Sequence, residues 1–139
     1  TTPLLPCCAA RMDTSFACHW LRLEGLIALL VAALLYRHFH LPWIWFGVLF
    51  LAPDLSLFGY LAGPRVGAWS YNLLHSYTTA GLAVVAAFLW QTNGTPQPTL
   101  MAAGLIGCAH IGFDRALGYG LKSPESFRLT HLGRVARDR

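Results

Sequence analysis

Four long apolar stretches, separated by short polar breaks, organise this chain. The first covers residues 20–36 (WLRLEGLIALLVAALLY) and ends at Arg37-His38-Phe39-His40. The second covers 43–62 and is closed by Gly63-Pro64-Arg65. The third covers 66–90 and runs into QTNGTPQP, a loop signature with two prolines and an Asn-Gly pair. The fourth covers 99–119. Each approaches the roughly 20 residues that a helix needs to cross the hydrocarbon core of a bilayer. Short connections predict that each helix runs antiparallel to the next. The expected fold is therefore all-α: an integral membrane four-helix up-down bundle over residues 20–119.

The flanks differ in character. Residues 1–19 form an N-terminal segment in which TTPLLPCCAAR precedes Met12, so Met12 is the expected natural start. A signal peptide is not expected, because the first span is not followed by a small-residue cleavage site and a soluble domain. Residues 120–139 form a basic tail. Ser123-Pro124-Glu125 reads as an N-cap followed by proline at the first helical position. Phe127, Leu129, Leu132 and Val135 then interleave with Arg128, Arg134 and Arg137. This pattern predicts a short basic amphipathic C-terminal helix lying on the membrane or on the mouth of the bundle.

Composition strengthens the membrane assignment. The chain is 55% hydrophobic and 12% charged, against about 25% charged in a soluble domain. Charge placement supplies an orientation. With the N-terminus inside, nine of the ten basic residues fall on or near the cytoplasmic side and Arg37 alone falls outside. Trp20 and Trp69 then mark the inner interface, and Trp43, Trp45 and Trp90 the outer one. The expectation is a multi-pass protein of the cell inner membrane with both termini cytoplasmic. Its basic residues sit at helix ends and on the tail, so nucleic acid is not an expected partner. Cys7, Cys8, Cys18 and Cys108 contain no C-x-x-C pair and suggest no disulfide framework.

Ionisable residues inside the spans are costly and point to function. They are Glu24, Asp54, His75, His110, Asp114 and Arg115. At about 1.5 Å per residue, Asp54, His75 and His110 fall at one depth. His110 and Asp114 are four apart and share a stripe, as do Asn72, His75 and Thr79. Pro53 predicts a kink beside Asp54. Two imidazoles and two carboxylates suit Zn²⁺, Mn²⁺ or Fe²⁺, which makes Asp54, His75, His110 and Asp114 candidate metal ligands. In that case water is the nucleophile, a spare carboxylate is the base, and Arg115 or Tyr60 stabilises charge. The expected ligand is a lipid or amphiphile arriving from the inner leaflet.

Three alternatives stand beside this one. His75 and His110 are also candidate axial ligands for haem. The same residues could relay protons or ions. Or they form a hydrogen-bond network that pins the helices of a structural or accessory subunit, each pair contributing about 0.6 kcal/mol. His131 in THLGR is a further candidate if the tail folds back. His38 and His40 read as an exposed interfacial pair, Arg22 and Glu24 as helix-end anchors, and Cys108 as a packing residue. Four short helices also make a homo-oligomer or a larger membrane complex an expected partner.

The blocks LRLEG, FLAPDLSLFGYLAGPRVGAWSYNLLHSY and AHIGFDRALGYGLKSPESFRLTHLGR carry a resemblance. From about Leu21 to Gly133 the chain resembles a small prokaryotic membrane family, domain of unknown function 4260. The resemblance implies a compact four-span protein and places Asp54, Tyr60, Asn72, His75, His110, Asp114, Arg115, Tyr119 and His131 in family blocks. It implies no activity. At the level of residue types alone, His and Asp set on several helices are similar to intramembrane metal hydrolases of the ceramidase type.

Overall fold

The computed structural model describes residues 14–123, 126–130 and 133–134. Thr14–His38 form α1, Trp43–Leu49 α2, Ala52–Ala62 a 3-10 helix, Pro64–Leu74 α3, Tyr77–Thr92 α4 and Pro98–Leu117 α5. Four helical stretches are long and apolar enough to cross a membrane: Phe16–His38, Trp43–Ala62, Pro64–Thr92 and Pro98–Leu117. The chain is thus the all-α membrane bundle that its hydropathy predicts. Its surface agrees, since Leu61, Trp69, Ile44 and Phe58 are 67–87% exposed and all five tryptophans are at least 50% exposed. A soluble monomer does not tolerate apolar patches on that scale.

Helix α5 is the hub, with α1 and α4 packed along it. The contacts are close because side chains are missing there. A Cβ on Gly112 would lie 2.6 Å from the Gly25 carbonyl oxygen and 2.7 Å from the Leu29 nitrogen, so α1 and α5 meet backbone to backbone. Gly104 does the same against Val84 of α4. Lipid tails are as apolar as leucine, so close van der Waals packing must hold such helices together. Arg22 Nε also donates to the Ala116 carbonyl at 2.8 Å, satisfying a carbonyl that the end of α5 leaves without an intrahelical partner. At the opposite end of α1, the buried Tyr36 hydroxyl donates to the Pro42 carbonyl at 2.9 Å and fixes the turn into α2.

Two of the predicted helices are broken, and both breaks bear on the site. The second stretch leaves α-helical winding after Leu49 and continues as a 3-10 helix with Pro53 in its first turn. Proline has no amide hydrogen to continue an α-helical ladder, so the change falls just before it. The third stretch, expected as one helix over 66–90, divides at His75 and Ser76. Ser76 has extended backbone and its hydroxyl accepts the Thr78 amide at 3.2 Å, which caps α4. Between the two stretches Gly63 adopts φ +117°, a conformation open to glycine, and the 3-10 helix folds back on α3. The Ser70 hydroxyl donates to the Ser56 carbonyl at 2.9 Å across that hairpin.

The predicted C-terminal amphipathic helix is corrected. Lys122–Ser123 (β1), Ser126–Thr130 (β2) and Gly133–Arg134 (β3) form an antiparallel sheet in the order β1-β2-β3. The sequence SFRLT alternates polar and apolar residues with the period of two that a strand requires, and this outweighs the helix-start signal at Ser123. Strand β1 packs on α3. His131, Met12, Cys7 and Cys8 lie outside the described residues.

Candidate metal centre

Three elements bring four side chains together: Asp54 from the 3-10 helix, His75 from the end of α3, and His110 with Asp114 from α5. His110 and Asp114 are one turn apart and so project from one face. His75 is the residue at which α3 stops, and Asp54 directly follows Pro53. One ligand atom from each residue lies within 4.8 Å of all the others, so the group could hold a metal ion.

The distances are informative. His75 Nε2 lies 3.1 Å from His110 Nε2. Asp54 Oδ1 lies 3.4 Å from His75 Nε2 and 3.5 Å from His110 Nε2. Asp114 Oδ2 lies 3.6 and 3.7 Å from the same two nitrogens. Hydrogen bonds of this kind run about 2.7–3.2 Å, so the four His–Asp pairs are too long to be good ones. Ligands held about 2.0–2.2 Å from a common centre in a regular tetrahedron lie about 3.3–3.6 Å apart. Three of the His–Asp edges, at 3.4, 3.5 and 3.6 Å, fall in that second range, whereas the 3.1 Å His75–His110 edge is also a hydrogen-bond distance.

The surroundings orient the four side chains. His75 Nδ1 lies 3.0 Å from the Tyr71 carbonyl oxygen. A carbonyl only accepts, so Nδ1 carries the proton and the neutral ring presents the lone pair of Nε2 to the group. The Tyr71 ring stacks on His75 with centroids 3.7 Å apart, and its hydroxyl donates to Asp114 Oδ2 at 3.3 Å. Phe50 meets the His110 ring edge-on at 5.4 Å. His75 and His110 are buried. The Asp114 side chain is 17% exposed and that of Asp54 41%, so the group is sealed on the histidine side and open at Asp54.

Tyr71 and Lys122 are the residues that sequence reasoning missed. Lys122, on β1, is 8% exposed. The Asn72 side chain grips its backbone twice: the Lys122 amide donates to Asn72 Oδ1 at 2.8 Å, and Asn72 Nδ2 donates to the Lys122 carbonyl at 2.9 Å. The Lys122 ammonium lies 5.4 Å from the centre of the Tyr71 ring. Burial pushes its pKa below the usual lysine value, and the nearby Asp114 carboxylate pulls it back up.

The other candidates have contacts of their own. Tyr60 packs its ring against Gly67 in the hairpin. The Arg115 guanidinium lies 5.7 Å from the centre of the Tyr77 ring, and its Cβ sits at the Gly25 crossing. The expected stripe of Asn72, His75 and Thr79 is divided by the break at Ser76. Asn72 turns to β1, and Thr79 lines an apolar groove of about 310 Å³ beside Pro53 and Leu74. His38 and His40 stay at the far end of α1, lining a surface hollow with Leu34 and Arg37.

The family model described as Domain of unknown function (DUF4260) matches residues 18–135 of the chain. No curated protein and no solved structure matches it.

Proposed function

The chain belongs to that family, whose description carries no activity, and we propose that Asp54, His75, His110 and Asp114 hold a divalent transition-metal ion for hydrolysis of a lipid or other amphiphile. The observation that carries this is the convergence of four ligand atoms within 4.8 Å of one another, with four His–Asp edges of 3.4–3.7 Å that are long for hydrogen bonds and close to those of a small ion's coordination shell. Zn²⁺ suits two imidazoles and two carboxylates, with Mn²⁺ and Fe²⁺ next. Haem fits less well, because both imidazole nitrogens are also within 3.7 Å of carboxylates. A dication also balances two carboxylates that would otherwise repel each other in a water-poor place.

His75, His110 and Asp114 are the sealed ligands. Asp54 stands at the open side, where it serves as fourth ligand and as the proton acceptor for an attacking water. A bound divalent ion would supply Lewis acidity at that opening. In the orientation favoured by the basic residues, with both termini cytoplasmic, the opening lies in the inner half of the bilayer. The test is hydrolysis of ester- and phosphoester-linked lipids by zinc-loaded protein in detergent. The expected result is turnover that stops with a chelator, returns with metal and falls at least about a hundredfold in Asp54→Asn. A metal-loaded protein that turns over none of them contradicts the hydrolytic assignment and leaves a structural ion.

Tyr71→Phe keeps the ring that stacks on His75 and removes the hydroxyl that orients Asp114. Loss of such supporting hydrogen bonds lowers metal affinity about 10–100-fold. Competition with a chelator of known affinity measures this, and unchanged affinity would show that the hydroxyl does not support the site.

A further inference from the structure

We propose that the end of the bundle where α1 turns into α2 binds one anionic bilayer phospholipid. Its phosphate is received by Arg37, His38 and His40, and its acyl chain lies along Leu34. This inference does not rest on the metal assignment. The four residues line one surface hollow of about 390 Å³, and all four are exposed. The span Phe16–His38 ends within it, so the hollow falls where the hydrocarbon of a bilayer gives way to headgroups. Leu34 is 65% exposed and three residues before Arg37, hence its neighbour on the surface of α1.

The turn holds the hollow in shape. His40 has φ +53°, and its amide donates to the Arg37 carbonyl at 3.0 Å, which folds it back towards Arg37. The Leu41 amide donates to the Tyr36 carbonyl at 3.2 Å, and both of these side chains are buried. Phe39 packs on the same core, and the His38 ring meets it edge-on with centroids 5.3 Å apart. The donors are therefore presented from a tied turn. A guanidinium pairs its N–H groups with phosphate oxygens, and an imidazole offers at least one N–H in any protonation state.

Charge decides which lipid fits. The end of α4 and the start of α5 meet this turn, since Phe39 and Leu41 share a second hollow with Gln91, Gln97 and Pro98. Residues 25–53 and 76–113 contain all of these positions. They include no Asp or Glu, and Arg37 is their one Lys or Arg. Glu24, the nearest carboxylate along α1, is thirteen residues and so about 20 Å away. Among the described residues nothing at this end balances Arg37, and an anionic phospholipid supplies the missing charge. A zwitterionic lipid brings an ammonium that finds no carboxylate here to receive it.

Native mass spectrometry of the full chain in detergent tests this, with equal amounts of dioleoyl-phosphatidylglycerol and dioleoyl-phosphatidylcholine. The quantity read is the ratio of the two lipids retained. Arg37→Gln is expected to lower that ratio about tenfold, the value of one charge-assisted hydrogen bond. Replacing His38 and His40 together by alanine should lower it as well. Millimolar inorganic phosphate should leave the wild-type ratio unchanged, since it has no chain to lie along Leu34. Parity in the wild type, or an unchanged ratio in Arg37→Gln, overturns the inference. A ratio that falls in Arg37→Gln but not in the double histidine variant leaves a lone surface charge and overturns the hollow as a site. Displacement by inorganic phosphate overturns the lipid in favour of a small free anion.

Discussion

His110→Ala is expected to leave the purified protein without its ion. The residue is 1% exposed, and its Nε2 is within 3.7 Å of ligand atoms on all three other residues. Supporting hydrogen bonds around metal ligands are worth about 10–100-fold in affinity, so removing a ligand outright should cost more than about a hundredfold. His75→Ala should match it. His38→Ala, at the far end of α1, should retain the ion. The same variants separate the metal site from a purely structural network. In a network, His110→Ala would lower thermal stability while metal content stayed at background in every variant, wild type included. Metal content and unfolding temperature measured on one set of preparations therefore decide between the two.

Gly112→Leu is expected to be the most damaging change outside the four residues of the polar group. A Cβ alone would come within 2.6–2.7 Å of backbone atoms in Gly25 and Leu29, and a leucine has nowhere to turn. Backbone cannot move aside as a flexible side chain can, so α1 must lift off α5. Overpacking of a core costs about 1–3 kcal/mol, and a backbone clash at a helix crossing should exceed that range. Because α1 packs chiefly on α5, the expected result is loss of folded protein in detergent. Gly47→Leu is the control, since nothing lies within 4 Å of a Cβ built there. Wild-type stability in Gly112→Leu would show that the two helices do not meet as described.

The four residues of the polar group were legible in the sequence because ionisable residues in apolar stretches stand out, and a fixed rise per residue sets their depth. The glycines of α5 mark in the sequence where a neighbouring helix can approach closely. Which neighbour each one faces was not, because a helix's partners depend on the whole packing. The broken helices hid in part for a local reason: Ser76 followed by Thr78 is a capping signal, but in an apolar stretch it reads as two more polar residues of a span. Tyr71 was hidden because an aromatic side chain in a membrane helix ordinarily faces lipid. Its position four residues before His75 was the available clue. Lys122 read as one more charge setting orientation, since only the chain reversal after α5 brings β1 onto Asn72. The tail was misread because a helix-start signal at Ser123 was given more weight than the period-two alternation that follows it.

The central claim is that this polar group exists to hold an ion. Elemental analysis of detergent-purified wild-type protein tests it most directly, with and without equilibration against zinc, manganese and iron. The account predicts about one transition-metal ion per chain, retained through desalting, as four converging ligands imply. A protein that is metal-free as purified, and still metal-free after each metal is added back, would contradict it.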